Sequence, residues 1–496
     1  MRFLGVDLGS SFVKASLLDG ESGRCVAAAS WPEREMEIRA PQPGWAEQDP
    51  DLWWECVKRV TRRLLAEAPA SPGAIGGIGI AYQMHGLVLV DEGGRPLRPA
   101  ILWCDGRSAE IGREAFEALG RERCLRALMN SPGNFTASKA RWVLENEPQV
   151  FARARKMLLP GEVLAMRMTG RAATTVPGLS EGILWDFEKG SRADFLLDHY
   201  GIPGELLPEV VPTFGRQGEL TSEAAEELGL AAGTPVTYRA GDQPNNALSL
   251  DVLEPGEFAA TAGTSGVVYA VTDSAEADPR SRVNTLVHVN HEATSPRLGV
   301  LLCINGAGSA NRWTRSVTGF PSDEEMDRGA ATIACGSDGV RFLPFGNGAE
   351  RMFEDREIGA QLLHLRFNRH GPGHLARAVQ EGIAFAFRYG IDVLAQIGIR
   401  PRVLRAGIGN LFRSPVFRET LADVAGVAIE LYETDGSLGA ARGAAIGAGH
   451  YRTFAEAFEI LERKAVVEPS KRRAEVANYY DDWLGSLRSA LGAGKA

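Results

Sequence analysis

Two aspartates stand where a carboxylate can act on a ligand. Asp7 closes an apolar run just before the turn Gly9-Ser10-Ser11, and Asp242 follows another in Gly241-Asp242-Gln243-Pro244. Carboxylates at strand ends face the crevice of open α/β sheets, where ligands collect. One acid can serve as base for a substrate hydroxyl, and the other can hold Mg²⁺ directly or through water. Each also has a plainer reading. Pro244 comes at an early helical position, so Asp242 reads equally as a helix N-cap, and Asp7 as an Asx residue that steadies its turn.

Two turns of small residues point to phosphate. Gly9-Ser10-Ser11 and Gly263-Thr264-Ser265-Gly266 offer backbone N–H groups and hydroxyls with no bulk to keep an anion away. Either alone is a plain hairpin turn; at matching positions of two halves they favour an anion nest. The GxxxxGK[ST] loop is missing, and Gly407-Ile408-Gly409 runs into Phe412 where a dinucleotide fingerprint needs a small residue. Tyr82-Gln83-Met84-His85-Gly86 lies between two strands and projects side chains from a strand end; a lone His85 is otherwise a structural residue. Trp103-Cys104-Asp105-Gly106-Arg107 carries an aromatic face, an acid and a base, suited to a polyhydroxylated ligand or to a surface turn with an ion pair. His288-Val289-Asn290-His291-Glu292 lacks further ligands, so no structural metal is expected.

The elements that position these residues follow from apolar runs and their punctuation. Strands are predicted over Phe3–Leu8, Phe12–Leu18 and Arg24–Ser30, then a helix with Asp49 as N-cap and Pro50 at its first position. Leu52, Trp53, Cys56, Val57, Val60 and Leu64 form its stripe. A buried strand over Ile75–Gln83 and alternating helices and short strands lead to a strand over Pro235–Ala240. Then the opening recurs: Phe258–Ala262, a turn, and Val267–Val271, with Leu8–Val13 in register with Ala262–Val267. A long helix from Leu375 to about Ile397, a strand over Arg402–Ala406, a helix capped by Ser414-Pro415, a strand over Ala428–Leu431 and a helix from Leu438 complete the second half. The reading is an α/β chain of two related halves around a cleft, divided into residues 1–250 and 251–496.

Composition excludes other classes. The chain has 496 residues, 44% of them hydrophobic, and its 57 glycines exceed an average usage of about 7% without any tandem repeat. A net charge of −9 and the absence of a basic stripe argue against phosphate-mediated nucleic-acid binding. The six cysteines are dispersed, as in a reduced cytoplasmic protein. No run approaches the roughly 18 apolar residues of a membrane span, and the N-terminus does not read as a signal peptide.

Taken in order, Val6-Asp7-Leu8-Gly9-Ser10-Ser11 with Lys14, Gly44-Trp45-Ala46-Glu47-Gln48-Asp49-Pro50, Gln83-Met84-His85-Gly86, Leu97–Trp103, Gly241-Asp242, Ala262–Gly266 and Leu438–Arg442 resemble the FGGY carbohydrate kinases, xylulokinases among them. The resemblance implies the actin-like ATPase fold, two ribonuclease-H-like domains around a nucleotide and sugar cleft, with the last helices packing back on the first domain. It implies transfer of phosphate from ATP to D-xylulose or another small ketose or polyol, with Mg²⁺. Asp242 would be the base and Asp7 the acid near the metal, both able to reach it. Met84, His85, Trp103, Asp105 and Gln243 would face the sugar. Gly9, Ser10, Ser11, Lys14, Gly263, Thr264, Ser265 and Gly266 would face the phosphates, and Gly407, Gly409 and Asn410 the adenosine. The partners implied are sugar and ATP, with a homodimer as in many relatives. The segment Thr174–Glu181 lacks the Asp common among relatives, and Gln243 replaces their Asn.

Overall fold

The apolar runs that open the chain become strands, the first two largely buried and the third a half-exposed edge. In the computed structural model, which describes residues 1–68 and 72–493, Arg2–Leu8 pairs antiparallel with Val13–Asp19, and that strand with Cys25–Trp31. On its other side Arg2–Leu8 lies parallel to Ile75–Tyr82, which is parallel to Pro235–Gly241, and Phe214–Glu219 closes the edge antiparallel. The second half repeats this plan. Glu257–Ala262, Gly266–Thr272 and Leu298–Ile304 form the antiparallel side, Val403–Gly407 and Ile429–Tyr432 continue parallel, and Arg463–Val467 closes the edge antiparallel. An extra strand, Asn284–Val287, extends the antiparallel side of the second sheet. Chain order differs at one edge: the closing strand precedes the fifth strand in the first half and follows it in the second.

The helix Pro50–Glu67 begins as its sequence predicts, with the Asp49 carboxylate accepting from the Asp51 N–H and Pro50 pre-set for the first turn. Its stripe of Trp53, Cys56, Val57, Val60 and Leu64 is buried against Val13–Asp19 and Cys25–Trp31. Each such fully buried aliphatic side chain contributes about 1.5–3 kcal/mol. The opposite face of the same sheet is covered by a helix from the other half, Gly436–Gly447. That approach demands glycine: a Cβ on Gly5 would stand 1.9 Å from the Ser437 carbonyl oxygen, and one on Gly79 would stand 2.0 Å from that of Ala440. The helix Asp242–Ser249 packs against Gly436–Gly447 and reaches the second sheet at Glu257–Ala262 and Gly266–Thr272. These two helices lie between the sheets, and the strand ends above them form the walls of the cleft.

Between Ile75–Tyr82 and Pro235–Gly241 the chain builds a lobe with its own core, centred on Phe116, Val143, Leu196 and Tyr200. Of the late helices, Gly436–Gly447 packs on the first sheet and the final one stays in the second half. Arg473–Ala493 packs on Pro415–Ala425, Pro372–Gln396 and Arg341–Phe345 within the second half, where Trp483 is buried and donates to the Phe342 carbonyl at 2.8 Å. The register of the two turns also differs by one residue. Leu8 pairs with Val13 across Gly9–Phe12, whereas Ala262 pairs with Gly266 across three residues. A Cβ at Gly266 would meet the Phe387 ring at 2.6 Å, so the second strand starts on a glycine pressed against the helix Pro372–Gln396.

Candidate active site

A cavity of about 470 Å³ opens between the halves. The first half supplies Asp7, Gly9, Ser10, Ser11, Lys14, Gln83, Met84, His85, Trp103, Asp242 and Gln243; the second supplies Ser265, Asn284, Cys303 and Asn305. Asp7 is the last residue but one of its strand, directly opposite Lys14 in the hairpin ladder. Its carboxylate faces the start of the helix Gly436–Gly447, where a Cβ at Gly436 would lie 2.3 Å from Oδ2. Asp242 is the first residue of Asp242–Ser249, the N-cap is Gly241, and the Asp242 carboxylate accepts from the N–H and side chain of Gln243. The N-cap position that its sequence also allowed belongs instead to Gly241. Gly241 itself is confined, since a Cβ there would come within 2.6 Å of both Glu181 and Met84.

Both acids are held above the usual carboxylate range. Desolvation in the depth of the cleft pushes Asp7 up to about 6, with Lys14 opposing and Asp435 adding to the rise. Desolvation pushes Asp242 up to about 7, with the Asp7 charge as the second cause. A carboxyl poised near neutrality suits proton abstraction from a hydroxyl. Two carboxylates that disfavour each other's charge in one cavity are also a donor set that a divalent cation would relieve.

His85 is a left-handed residue with φ of 58°, an uncommon conformation outside glycine. Its N–H donates to Glu181 Oε1 at 3.2 Å, its Nδ1 lies 2.9 Å from the Glu181 carbonyl oxygen, and its own carbonyl accepts from Lys139 Nζ at 2.8 Å. Desolvation, helped by the Lys139 charge, pushes its imidazole down to about 4, so the ring is neutral. Trp103 is 44% exposed and lines the cavity mouth. Asp105 requires correction: it is fully buried and does not line the cavity. Its carboxylate accepts from Arg107 Nε at 2.9 Å, Arg107 Nη2 at 2.7 Å and the Ala46 N–H at 2.5 Å. Arg107 stacks over Trp45 at 3.7 Å and Trp142 at 4.8 Å. The pair fastens the segment bearing Trp103 to the rest of the lobe.

A second cavity, of about 600 Å³, adjoins the second turn and is lined by Gly263, Gly308, Asn311, Arg312, Asp327, Gly409 and Asn410 among others. Gly308 allows its helix to start against this turn, since a Cβ there would lie 1.9 Å from the Gly263 carbonyl oxygen. Ser309 N–H donates to the Thr264 carbonyl at 3.1 Å, and Arg312 donates to Thr264 Oγ1 at 3.4 Å. Gly263 and Ser265 thus serve one cavity each, and the turn is their shared wall. Gly407 ends its strand outside both cavities, and neither Thr264 nor Gly266 is among the lining residues.

Several lining residues carry no sequence signal. Asn284 belongs to the extra strand, and Asn305 follows Leu298–Ile304. Asn305 is held at every backbone group: its N–H donates to the Glu350 carboxylate at 3.0 Å and its carbonyl accepts from Asn347 at 2.9 Å. Glu350 is buried, and desolvation pushes it up to about 8. Asn311, Arg312 and Asp327 sit on helices that read as ordinary amphipathic stretches; the glycines of Gly306-Ala307-Gly308 are the one hint that a ligand or backbone passes close by.

Comparison with known proteins agrees with this geometry. The model of the FGGY family of carbohydrate kinases matches in both parts, its N-terminal domain over residues 2–249 and its C-terminal domain over residues 258–451. The chain is 33% identical to the xylulose kinase of Escherichia coli K12 over 444 residues, covering 89% of this chain and 88% of that protein. It is 32% identical to the L-xylulose/3-keto-L-gulonate kinase of the same organism, covering 92% and 90%. The solved structure of xylulose kinase from Rhodospirillum rubrum superposes with a TM-score of 0.87 at 29% identity, covering 99% of each chain. With both domain models matched in order, two duplicated sheets and an acid-bearing cleft between them, the chain belongs to the FGGY family of carbohydrate kinases.

Proposed function

We propose that the protein transfers the γ-phosphoryl group of ATP to D-xylulose, giving ADP and D-xylulose 5-phosphate. The observation that carries this reading is the cavity that holds Asp7 and Asp242 together with Met84 and His85, beside a phosphate-sized turn from each half. The relatives named xylulose kinase supply the sugar.

In this mechanism Asp242 accepts the proton of the sugar 5-hydroxyl as that oxygen forms its bond to the γ-phosphorus. The bond from γ-phosphorus to the β,γ-bridging oxygen breaks, and ADP carries the electron pair away. The turns Gly9–Ser11 and Gly263–Gly266 offer backbone N–H groups to the phosphates, and Lys14 offers a cation beside Asp7. His85 accepts a hydroxyl, Met84 and Trp103 pack on the carbon skeleton, and Gln243 lies within the same wall. The pair Asp7 and Asp242 fits Mg²⁺ by its chemistry, and Mg²⁺ bound there, directly or through water, would neutralise phosphate charge. Gly409 and Asn410 border the adenosine, while Gly407 shapes the strand end before them. Closure of the cleft excludes the water that would otherwise hydrolyse ATP. The reading includes a cytoplasmic location and a homodimer, the latter checked by sedimentation; among the described residues no helix is long and apolar enough to cross a membrane.

Coupled ADP-release assays over D-xylulose, L-xylulose, D-ribulose, sedoheptulose and glycerol test the assignment. The highest kcat/KM is expected for D-xylulose. A tenfold preference for another sugar would replace the substrate, and ATP turnover indifferent to every sugar would sink the kinase reading.

A further inference from the structure

His85 owes its place in the cavity to two buried ionisable side chains that never reach the cavity. Lys139 and Glu181 are 0% and 1% exposed, and neither lines it. A left-handed non-glycine residue persists only where its surroundings hold it. Here they do so at each polar backbone group: Glu181 Oε1 takes the N–H of His85, and Lys139 Nζ donates to its carbonyl. Lys139 Nζ also donates to the Asn134 carbonyl at 3.2 Å, and Tyr82 OH donates to Glu181 Oε2 at 3.1 Å, so both side chains are themselves fixed. The Phe135 ring packs nearly perpendicular to the imidazole at 4.8 Å between centroids.

The second contact of Glu181 decides the chemistry of the ring. A carbonyl oxygen only accepts, so the 2.9 Å approach of His85 Nδ1 to the Glu181 carbonyl requires the proton on Nδ1. A neutral ring protonated there presents Nε2 as a bare lone pair. We infer that Lys139 and Glu181 are positioning residues that lock His85 as an Nε2 acceptor, so that the sugar is recognised through a hydroxyl that donates and not through its ketone oxygen.

This rests on the ketose kinase reading, and the test separates the two. Steady-state kinetics with D-xylulose and ATP compare Glu181→Leu, Glu181→Gln and Lys139→Met with the wild type, with melting temperature confirming the fold. Glu181→Leu and Lys139→Met are expected to raise the KM for D-xylulose about tenfold or more while the KM for ATP moves less than twofold. Glu181→Gln, which keeps an acceptor for the His85 N–H, is expected to restore most of the sugar affinity lost in Glu181→Leu. An unchanged sugar KM, or equal losses for sugar and ATP, would overturn the inference. Should a variant fail to fold, ¹⁵N NMR of ring-labelled wild-type protein, with the His85 signal assigned through His85→Asn, decides: the Nδ1–H tautomer supports the lock and the Nε2–H tautomer refutes it. A wild type inactive on every ketose would instead count against the proposed function, and the NMR result would still judge the ring.

Discussion

Each half of the molecule starts a helix with an aspartate after its fifth strand, and the two acids have different fates. Asp435 is the N-cap of Gly436–Gly447: its Oδ1 accepts from the Leu438 N–H at 2.9 Å and from Ser437 Oγ at 2.8 Å. Asp242 sits one position inside Asp242–Ser249, behind the Gly241 cap, and its carboxylate accepts from its neighbour Gln243, through the N–H and the side-chain amide. The difference is where the loop ends. Asp242 follows its strand with no intervening residue, whereas Glu433, Thr434 and Asp435 separate Tyr432 from the second helix. The hairpins show the same asymmetry: the ladder positions of Asp7 and Lys14 in the first half are those of Thr261 and Val267 in the second. Duplication supplies the frame, and one half concentrates the charge.

The largest way to break this contrast is to remove the acid that lines the cavity. Asp242→Ala should lower turnover by roughly two to four orders of magnitude, the span of a lost general base, with a melting temperature no lower than wild type. Near-normal turnover would return Asp242 to the structural class of Asp435.

The next effect is on pH. A base must be deprotonated, so kcat/KM for the free enzyme should fall about tenfold per unit below an inflection near 7, the value to which Asp242 is pushed. Asp7→Asn should move that inflection down, because the Asp7 charge is the second cause of the rise. The stability sign is opposite to that of an ordinary salt-bridged acid. A folded-state pKa above the unfolded one favours the fold at low pH, and that contribution is lost as pH rises through about 7. Asp242→Asn should therefore raise the melting temperature of the metal-free protein at pH 8 and leave it unchanged at pH 4; the reverse order would contradict the desolvation account.

Two smaller effects concern the helix that Asp435 leads. Gly79→Ala drives a Cβ into the Ala440 carbonyl and should cost about 3 kcal/mol or more in denaturant unfolding, at the upper end of overpacking. Asp435→Ala should cost about 1 kcal/mol, as for a lost N-cap, and lower turnover far less than Asp242→Ala. A turnover loss matching that of Asp242→Ala would show that the two aspartates are not divided in role.

Local signals made much of this legible from sequence. Gly-Ser turns between apolar runs gave the hairpins, Asp49-Pro50 gave a helix start, and acids at strand ends marked both carboxylates of the cavity. Long-range packing hid the rest. Asp105 reads as a sugar ligand until its partners Arg107, Trp45 and Trp142 come together in space. Glu181 lies in the segment that departs from the family pattern, and only the fold shows that segment holding His85 from behind. The need for glycine at Gly266 was invisible because the Phe387 ring that crowds it lies on a helix far along the chain.

The borrowed helix also sets a timetable for synthesis. The last strand of the first sheet ends at Gly241, yet Gly5 and Gly79 on its inner face meet their close partners Ser437, Ala440, Ala441 and Ala444 on the helix Gly436–Gly447. A ribosome adding about 5–20 residues per second leaves that face open for on the order of ten seconds or more. The first half is therefore a nascent intermediate with an unsealed sheet, and a fragment ending near residue 250 should need a helper, or the missing helix supplied as a peptide, to stay in solution.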